Sequence, residues 1–487
     1  MKKYLIYLFT LLAFVSKAQQ GFQLSISTEE DEVFWNVSED YYKNYIFAGY
    51  LRHPEPQIPE YSAYVAKISQ QGDTIIKTIF RTDTVNLILY QSIPLENGNY
   101  LFIGKNGDTI TGDFQYFFTL LTDHSFNILK TDQVLIPEIY RDIHFKQFNL
   151  KDDNGQFIIG GKLLYDMIHG DLFLCRIDSG GEILNFENFI FTGHNPDSFG
   201  IFKSDNPETY KIFGAGFYAY APIEILEIDI GFNIQAHHIL SSFVDIDHFR
   251  TIKQFNDSAY LLGGKKTTME PYDSNLEVMI FDTNQNIYGE INLGRDTVWE
   301  YPAWERCLDF IDKNNIYVSG FRGGAWWYNY QDYVQIWLLD EELNLKASKF
   351  FGGDANYHVY SISATSDGGC IVAATRHDET QGDERDIFIL KIFEDDLLTS
   401  AEETPYTHDY DAIIYPNPGS EYLTIETCKR DFQFSLFNES GSLIIQKNNI
   451  TTTQTNIKTQ HLPKGVYYYS LTKDNQIIQT GKWIKSP

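Results

Sequence analysis

Four of the seven tryptophans fall in two short stretches, GRDTVWEYPAWER (294–306) and RGGAWWYNYQDY (322–333). Trp299, Trp304, Trp326, Trp327, Tyr328 and Tyr330 gather there with Arg295, Arg306 and Arg322. Aromatic faces beside guanidinium groups can stack sugar rings or grip a peptide. The same rings could instead bury one another over the fold and bind nothing. Covalent chemistry has less to stand on. The chain contains no HExxH, GxSxG, P-loop or GxGxxG, and no DxDxDG calcium loop. His237 and His238 are adjacent rather than four apart and sit in a strand-like run, so they read as structural and not as a metal pair. No catalytic residue, metal or cofactor is assigned. Carboxylates are numerous, so an acid pair of the glycosidase kind stays open as an alternative, although none is singled out.

The ends and the composition bound the setting. Lys2 and Lys3 precede an apolar run of twelve residues (4–15), followed by Ser16-Lys17-Ala18. This is the pattern of a cleavable secretory leader, too short to span a membrane, with cleavage expected near Ala18. No other apolar run reaches spanning length, so an integral membrane protein is not expected. The formal charge is −28, and removing Lys2, Lys3 and Lys17 takes it to −31. A surface of that sign repels phosphate backbones and argues against nucleic acid as a partner. Cys175, Cys307, Cys370 and Cys428 are scattered without CxxC or zinc spacing, each in a strand-like run, and read as buried thiols.

Positioning the aromatic stretches requires a scaffold, and the sequence shows one by repetition. An apolar run ending near glycine recurs as YIFAG, YLFIG, FIIGG, YKIFG, YLLGG, IYVSG and CIVAA, beginning at residues 45, 100, 157, 210, 260, 316 and 370. Each copy has a strand-like run before it and two after it, separated by turn signals such as ENGN, DNGQ, SDGG and DSGG. Four short strands per unit of fifty to fifty-seven residues predict an all-β fold, a seven-bladed β-propeller over 19–393. A β-helix is the runner-up, disfavoured because its repeats are shorter. The seventh unit lacks an outer strand, and residues 21–27 are expected to supply it and close the ring. In a propeller, loops joining the second to the third strand share one face with the blade-to-blade connections. Those loops are the long ones here, and they bring the two aromatic stretches of the sixth unit to one face.

The last two units, QIWLLDEELNLKASKFFGGDANYHVYSISATSDGGCIVAATR, resemble the secreted propeller repeats common in Bacteroidota. That resemblance implies export and repetition, and no single activity.

Residues 394–412 are acidic and polar without an apolar period and read as a linker. Beyond it come IIYPNPGSEYLTIE, LFNESGSLII, LPKGVYYYSL and GKWIK. In that order they resemble the C-terminal sorting domain of type IX (Por) secretion cargo over 413–487. The motif positions are Tyr415, Pro416, Asn417, Pro418, Gly441, Gly465, Tyr467 and Lys482, and Trp483 stands where the family has a small β-branched residue. Pro416 and Pro418 deny ladder donors to an incoming chain, and Gly441 and Gly465 permit turns closed to other residues. Leu423, Ile425, Val466 and Tyr468 alternate as on half-buried strands, predicting a small Ig-like β-sandwich. The resemblance implies a partner, the outer-membrane type IX machinery, which reads this domain and often removes it. The cargo is then released or held at the cell surface.

The function expected is that of a secreted or surface propeller binding an extracellular glycan or protein without catalysis. An enzyme acting on polysaccharide with acids at the channel mouth is the alternative, and a purely structural surface protein is the second.

Overall fold

The computed structural model describes residues 21–53, 59–108, 114–166, 169–189, 196–204, 206–216, 223–240, 248–269, 272–294, 299–322, 332–378, 384–398, 412–426, 432–438, 440–452, 454–473 and 476–486. The leader lies outside them, as does Cys428; Cys175, Cys307 and Cys370 are buried free thiols. Among the described residues no helix is long and apolar enough to cross a membrane.

The glycine-ending runs lie second from the inside of seven antiparallel sheets. Blade one shows the plan, with strands Asp31–Glu39, Tyr45–Arg52, Tyr61–Ile68 and Thr74–Phe80 in spatial order from the axis outward. The second and third strands are buried almost throughout, whereas Ile75 and Ile79 of the outer strand face solvent. That is why the second and third strands read as continuous apolar runs and the outer one alternates. Apolar clusters fill the wedges between neighbouring sheets. Phe34, Phe47 and Tyr64 of blade one meet Ile371, Ala373 and Ile389 of blade seven, and Phe213 of blade four meets Tyr260 and Phe281 of blade five. The packing is therefore a ring of inter-sheet cores.

Blade seven contributes Asn356–Ala364, Cys370–His377 and Arg385–Ile392, and its fourth strand is Phe22–Ile26 from the chain's beginning. Phe22 pairs with Lys391 and Ile26 with Ile387. Arg385 ties the same blade to blade one, its Nη2 lying 3.2 Å from an Asp31 oxygen.

Blade six departs from four continuous strands. Its inner strand is split into Glu300–Pro302 and Leu308–Asp309. Between them the chain leaves its own sheet and bonds to blade seven's inner strand: Trp304 and Glu305 donate backbone N–H groups to Val359 and Tyr360, and Ile362 donates to Arg306. The stretch read as linker also begins with order. Glu394–Leu398 forms one helical turn, because Asp396 accepts from the Phe393 N–H and Leu397 buries into the core of blades five to seven.

The tail is two facing sheets. One holds Ile413–Tyr415, Tyr422–Glu426 and Gln454–Lys458; the other holds Leu443–Ile450, Phe432–Asn438, Gly465–Lys473 and Gln476–Lys485. Leu423 and Ile425 are fully buried against Phe434, Leu436, Leu471 and Trp483. The expected face of one strand is reversed: Tyr467 and Tyr469 point into this core, while Val466 is half-buried and Tyr468 is exposed. A run of three tyrosines gives no alternation from which to read the register.

Candidate binding face

The two ends of the propeller differ in how their turns are made. At one end the turns are short and stapled. In the third-to-fourth turns Asp123 accepts from the N–H groups of Ser125 and Asn127, Asp229 from Gly231 and Asn233, and Asp340 from Glu342 and Asn344. The fourth turn residue takes positive φ: 61° at Phe126, 68° at Phe232, 63° at Leu343. These side chains are buried, so packing offsets the αL strain; the Phe126 ring lies 5.5 Å from Tyr100 and 5.9 Å from Phe102. The first-to-second turns use Asp40 and Asp152 in the same way.

The opposite end carries the long second-to-third loops. Trp326, Trp327, Tyr328 and Tyr330 lie outside the described residues, as does Arg295. Of the expected patch, Trp299 stands beside Tyr301, ring centroids 6.4 Å apart. Tyr301 pairs across the ladder with Phe321 and stacks on it at 5.5 Å. Lys265 Nζ is 5.8 Å from the Tyr301 ring, and the Arg322 guanidinium is 5.8 Å from that of Tyr333. Trp299 and Tyr301 are half-buried, and Phe321 and Tyr333 are buried behind them, with cations at the edge.

Two expected members are placed elsewhere. Trp304 lies in the propeller's interior, against the cores of blades two, three and five to seven, with the Arg250 guanidinium 5.1 Å away. Arg306 is half-buried and reaches across to donate to the Val37 carbonyl of blade one. Both belong to a set of inner-strand residues that fill the axis. Trp35, Tyr90, Arg250 and Tyr360 each sit where the inner ladder skips a residue. Trp35 packs 5.2 Å from Tyr90 and 4.9 Å from Tyr360, and Tyr90 lies 4.9 Å from Phe145. The numbering carried the signal: 35, 90 and 145, then 250, 305 and 360, are steps of 55.

No sequence pattern singles out the buried carboxyl groups near this face. Asp332, just before Tyr333, hides both oxygens from water with no hydrogen-bond partner among the described residues, and burial pushes its carboxyl up to about 8. Glu32 of blade one is fully buried, and burial pushes its carboxyl up to about 7. Asp142 goes the other way: Lys105, 2.6 Å away, and His144 hold it well below the usual range despite burial. His237, one of the adjacent pair, lies in an outer strand with Nε2 2.9 Å from Glu224.

In the tail, Asn417 clamps the last strand, donating from Nδ2 to the Lys482 carbonyl (2.7 Å) and accepting the Ile484 N–H (2.9 Å). Trp483 is wholly buried and donates from Nε1 to the Pro416 carbonyl at 2.7 Å. Gly419 must be small, since a β-carbon there would stand 3.0 Å from the Trp483 ring and 2.6 Å from the Pro416 oxygen. The Tyr467 ring lies 5.8 Å from Trp483 and its hydroxyl donates to Pro463. Gly441 adopts φ 77° in the turn stapled by Asn438, and Gly465 opens the strand that pairs with Lys485. The motif residues thus build a lock on the C-terminal strand, and the large residue at 483 fills it.

Residues 413–486 match the secretion system C-terminal sorting domain family. The tail therefore marks the chain for export to the cell surface or beyond, through the type IX system. No curated protein matches the chain. Among solved structures it is similar to the β-propeller domain of the Trilobed protease from Pyrococcus furiosus, at 9% identity and TM-score 0.40, over 76% of this chain and 100% of that one. It is similar to a protein of unknown function from Dyadobacter fermentans, at 8% identity and TM-score 0.43, over 76% and 98%. It is also similar to PorZ, a surface component of the type IX secretion system of Porphyromonas gingivalis, at 10% identity and TM-score 0.28, over 93% and 75%. These likenesses concern fold alone.

Proposed function

We propose that the exported propeller binds an extracellular glycan or protein, without catalysis, through its loop-rich face at blade six. The observation that carries this reading is the half-buried pair Trp299 and Tyr301, backed by the buried rings of Phe321 and Tyr333 and flanked by Lys265 and Arg322. It stands on rigid strands where the longest loops emerge, and Trp326, Trp327, Tyr328 and Tyr330 follow directly in sequence. Rings held by ladder pairing lose little freedom on binding, which favours them as anchors.

A hydrolytic reading finds weaker footing. The carboxyls with raised proton affinity, Glu32 and Asp332, are 0% and 1% exposed, so a substrate in solution does not reach them. On the side of blades one, two, three and seven, Trp35, Tyr90, Phe145 and Tyr360 pack together at the axis, where a channel site would need space.

The test is a screen of the mature chain, with and without residues 413–487, against glycan and surface-protein arrays. A double substitution, Trp326→Ala with Trp327→Ala, should weaken any hit by roughly a hundredfold, as loss of an aromatic anchor does. Binding retained at the parent's strength would dismiss this patch.

A further inference from the structure

Tyr415 opens the YPNP stretch, yet its ring also serves a neighbour outside its own domain. It meets the ring of Tyr333 edge-on, 5.1 Å between centroids and 83° between planes. Tyr333 begins blade six's third strand, Tyr333–Leu339, at the loop-rich end. Both tyrosines are buried, at 3% and 2% exposed. Gly353 forms the floor beneath them with φ +87°: a β-carbon there would stand 2.3 Å from Tyr333 Cε1 and 2.8 Å from Tyr415 Cδ2. Only a residue without a side chain lets both rings in. The next residue, Asp354, shares Arg376 with Asp378, at 3.1 and 2.9 Å. That trio lies close enough to the half-exposed Tyr422 of the tail to bear on its ionisation, with burial first and then the two carboxylates holding its phenol above the usual range.

We infer that the loop-rich face of blades six and seven is a built docking surface for the chain's own C-terminal domain, with Tyr415 as the plug and Gly353 as its seat. The aromatic wall neighbours this seat, since Arg322 faces the same Tyr333 that receives Tyr415. It follows, resting on the binding role proposed above, that the attached tail caps the face and its removal uncovers it. The tail would then be both an address and a cover. Docking itself does not depend on any ligand and can be tested without one.

The experiment is small-angle X-ray scattering on the mature full chain. A single docked globule of this length has a radius of gyration of about 23 Å. A tail swinging on its linker adds about 3 Å. Gly353→Val removes the seat; Tyr415→Ala with Tyr422→Glu removes the plug and sets a carboxylate against Asp354 and Asp378. The parent should give the smaller radius and both variants the larger. Should Gly353→Val fail to fold, the tail variant decides alone, because neither Tyr415 nor Tyr422 belongs to the tail's own apolar core. One shared radius for parent and variants, large or small, would overturn the inference.

Discussion

Glu32 ties a single side chain to the pH response of the fold. Folded, it keeps its proton to about pH 7; unfolded, it releases it near 4.5. Between those values the folded state binds more protons, so its contribution is complete below 4.5 and is lost as pH rises to 7. Glu32→Gln should therefore stabilise the protein at pH 8 by up to about 3 kcal/mol relative to its effect at pH 4. Urea unfolding at the two pH values checks this, and an equal effect at both would mean the buried carboxyl titrates normally. Nothing in the sequence distinguished Glu32 from the other acids, because burial of one strand position depends on the neighbouring blade. The turn residues were half legible. ENGN and SDGG announce themselves through glycine, whereas Phe126, Phe232 and Leu343 take positive φ because a hydrophobic seat and an Asp staple outweigh the strain. Trp304 was misplaced for a related reason: its aromatic neighbours in sequence suggested a loop cluster, while its position one residue before the 55-residue step puts it by the axis.

At the scale of elements, periodicity reveals the seven sheets because each blade needs the same pair of buried strands. The split inner strand of blade six is not legible that way, since it arises from 304–306 bonding to blade seven instead of its own sheet. The closing strand Phe22–Ile26 buries Ile26 and half-buries Phe22 and Leu24 between blades seven and one. Phe22 also lies over Gly72, the turn glycine of blade one, so this strand touches both sides of the seam. Deleting 21–27 should speed amide exchange across 387–391 by about tenfold or more, a local loss of about 1.4 kcal/mol. Exchange as slow as in the parent would show that the ring holds without it. In the tail, the spacing of YPNP and the terminal strand was visible, but not its purpose. Asn417 and Gly419 lock 482–486 in place, a long-range pairing that no local pattern encodes.

Across the whole molecule the parts answer one requirement, which is to survive and act outside the cell. A formal charge of −28 on the 487-residue chain makes copies of it repel one another. The ring is closed by Phe22–Ile26, which forms the outer strand of the last blade. The sorting domain follows as a separate sandwich with its own core. The export account is tested most directly in the native host, by protease shaving of intact cells and fractionation of the chain with and without residues 413–487. The full chain should be found at the surface or in the medium, and the shortened chain should accumulate folded in the periplasm. Equal surface exposure of both would contradict the account, since the propeller would then leave the cell without its label.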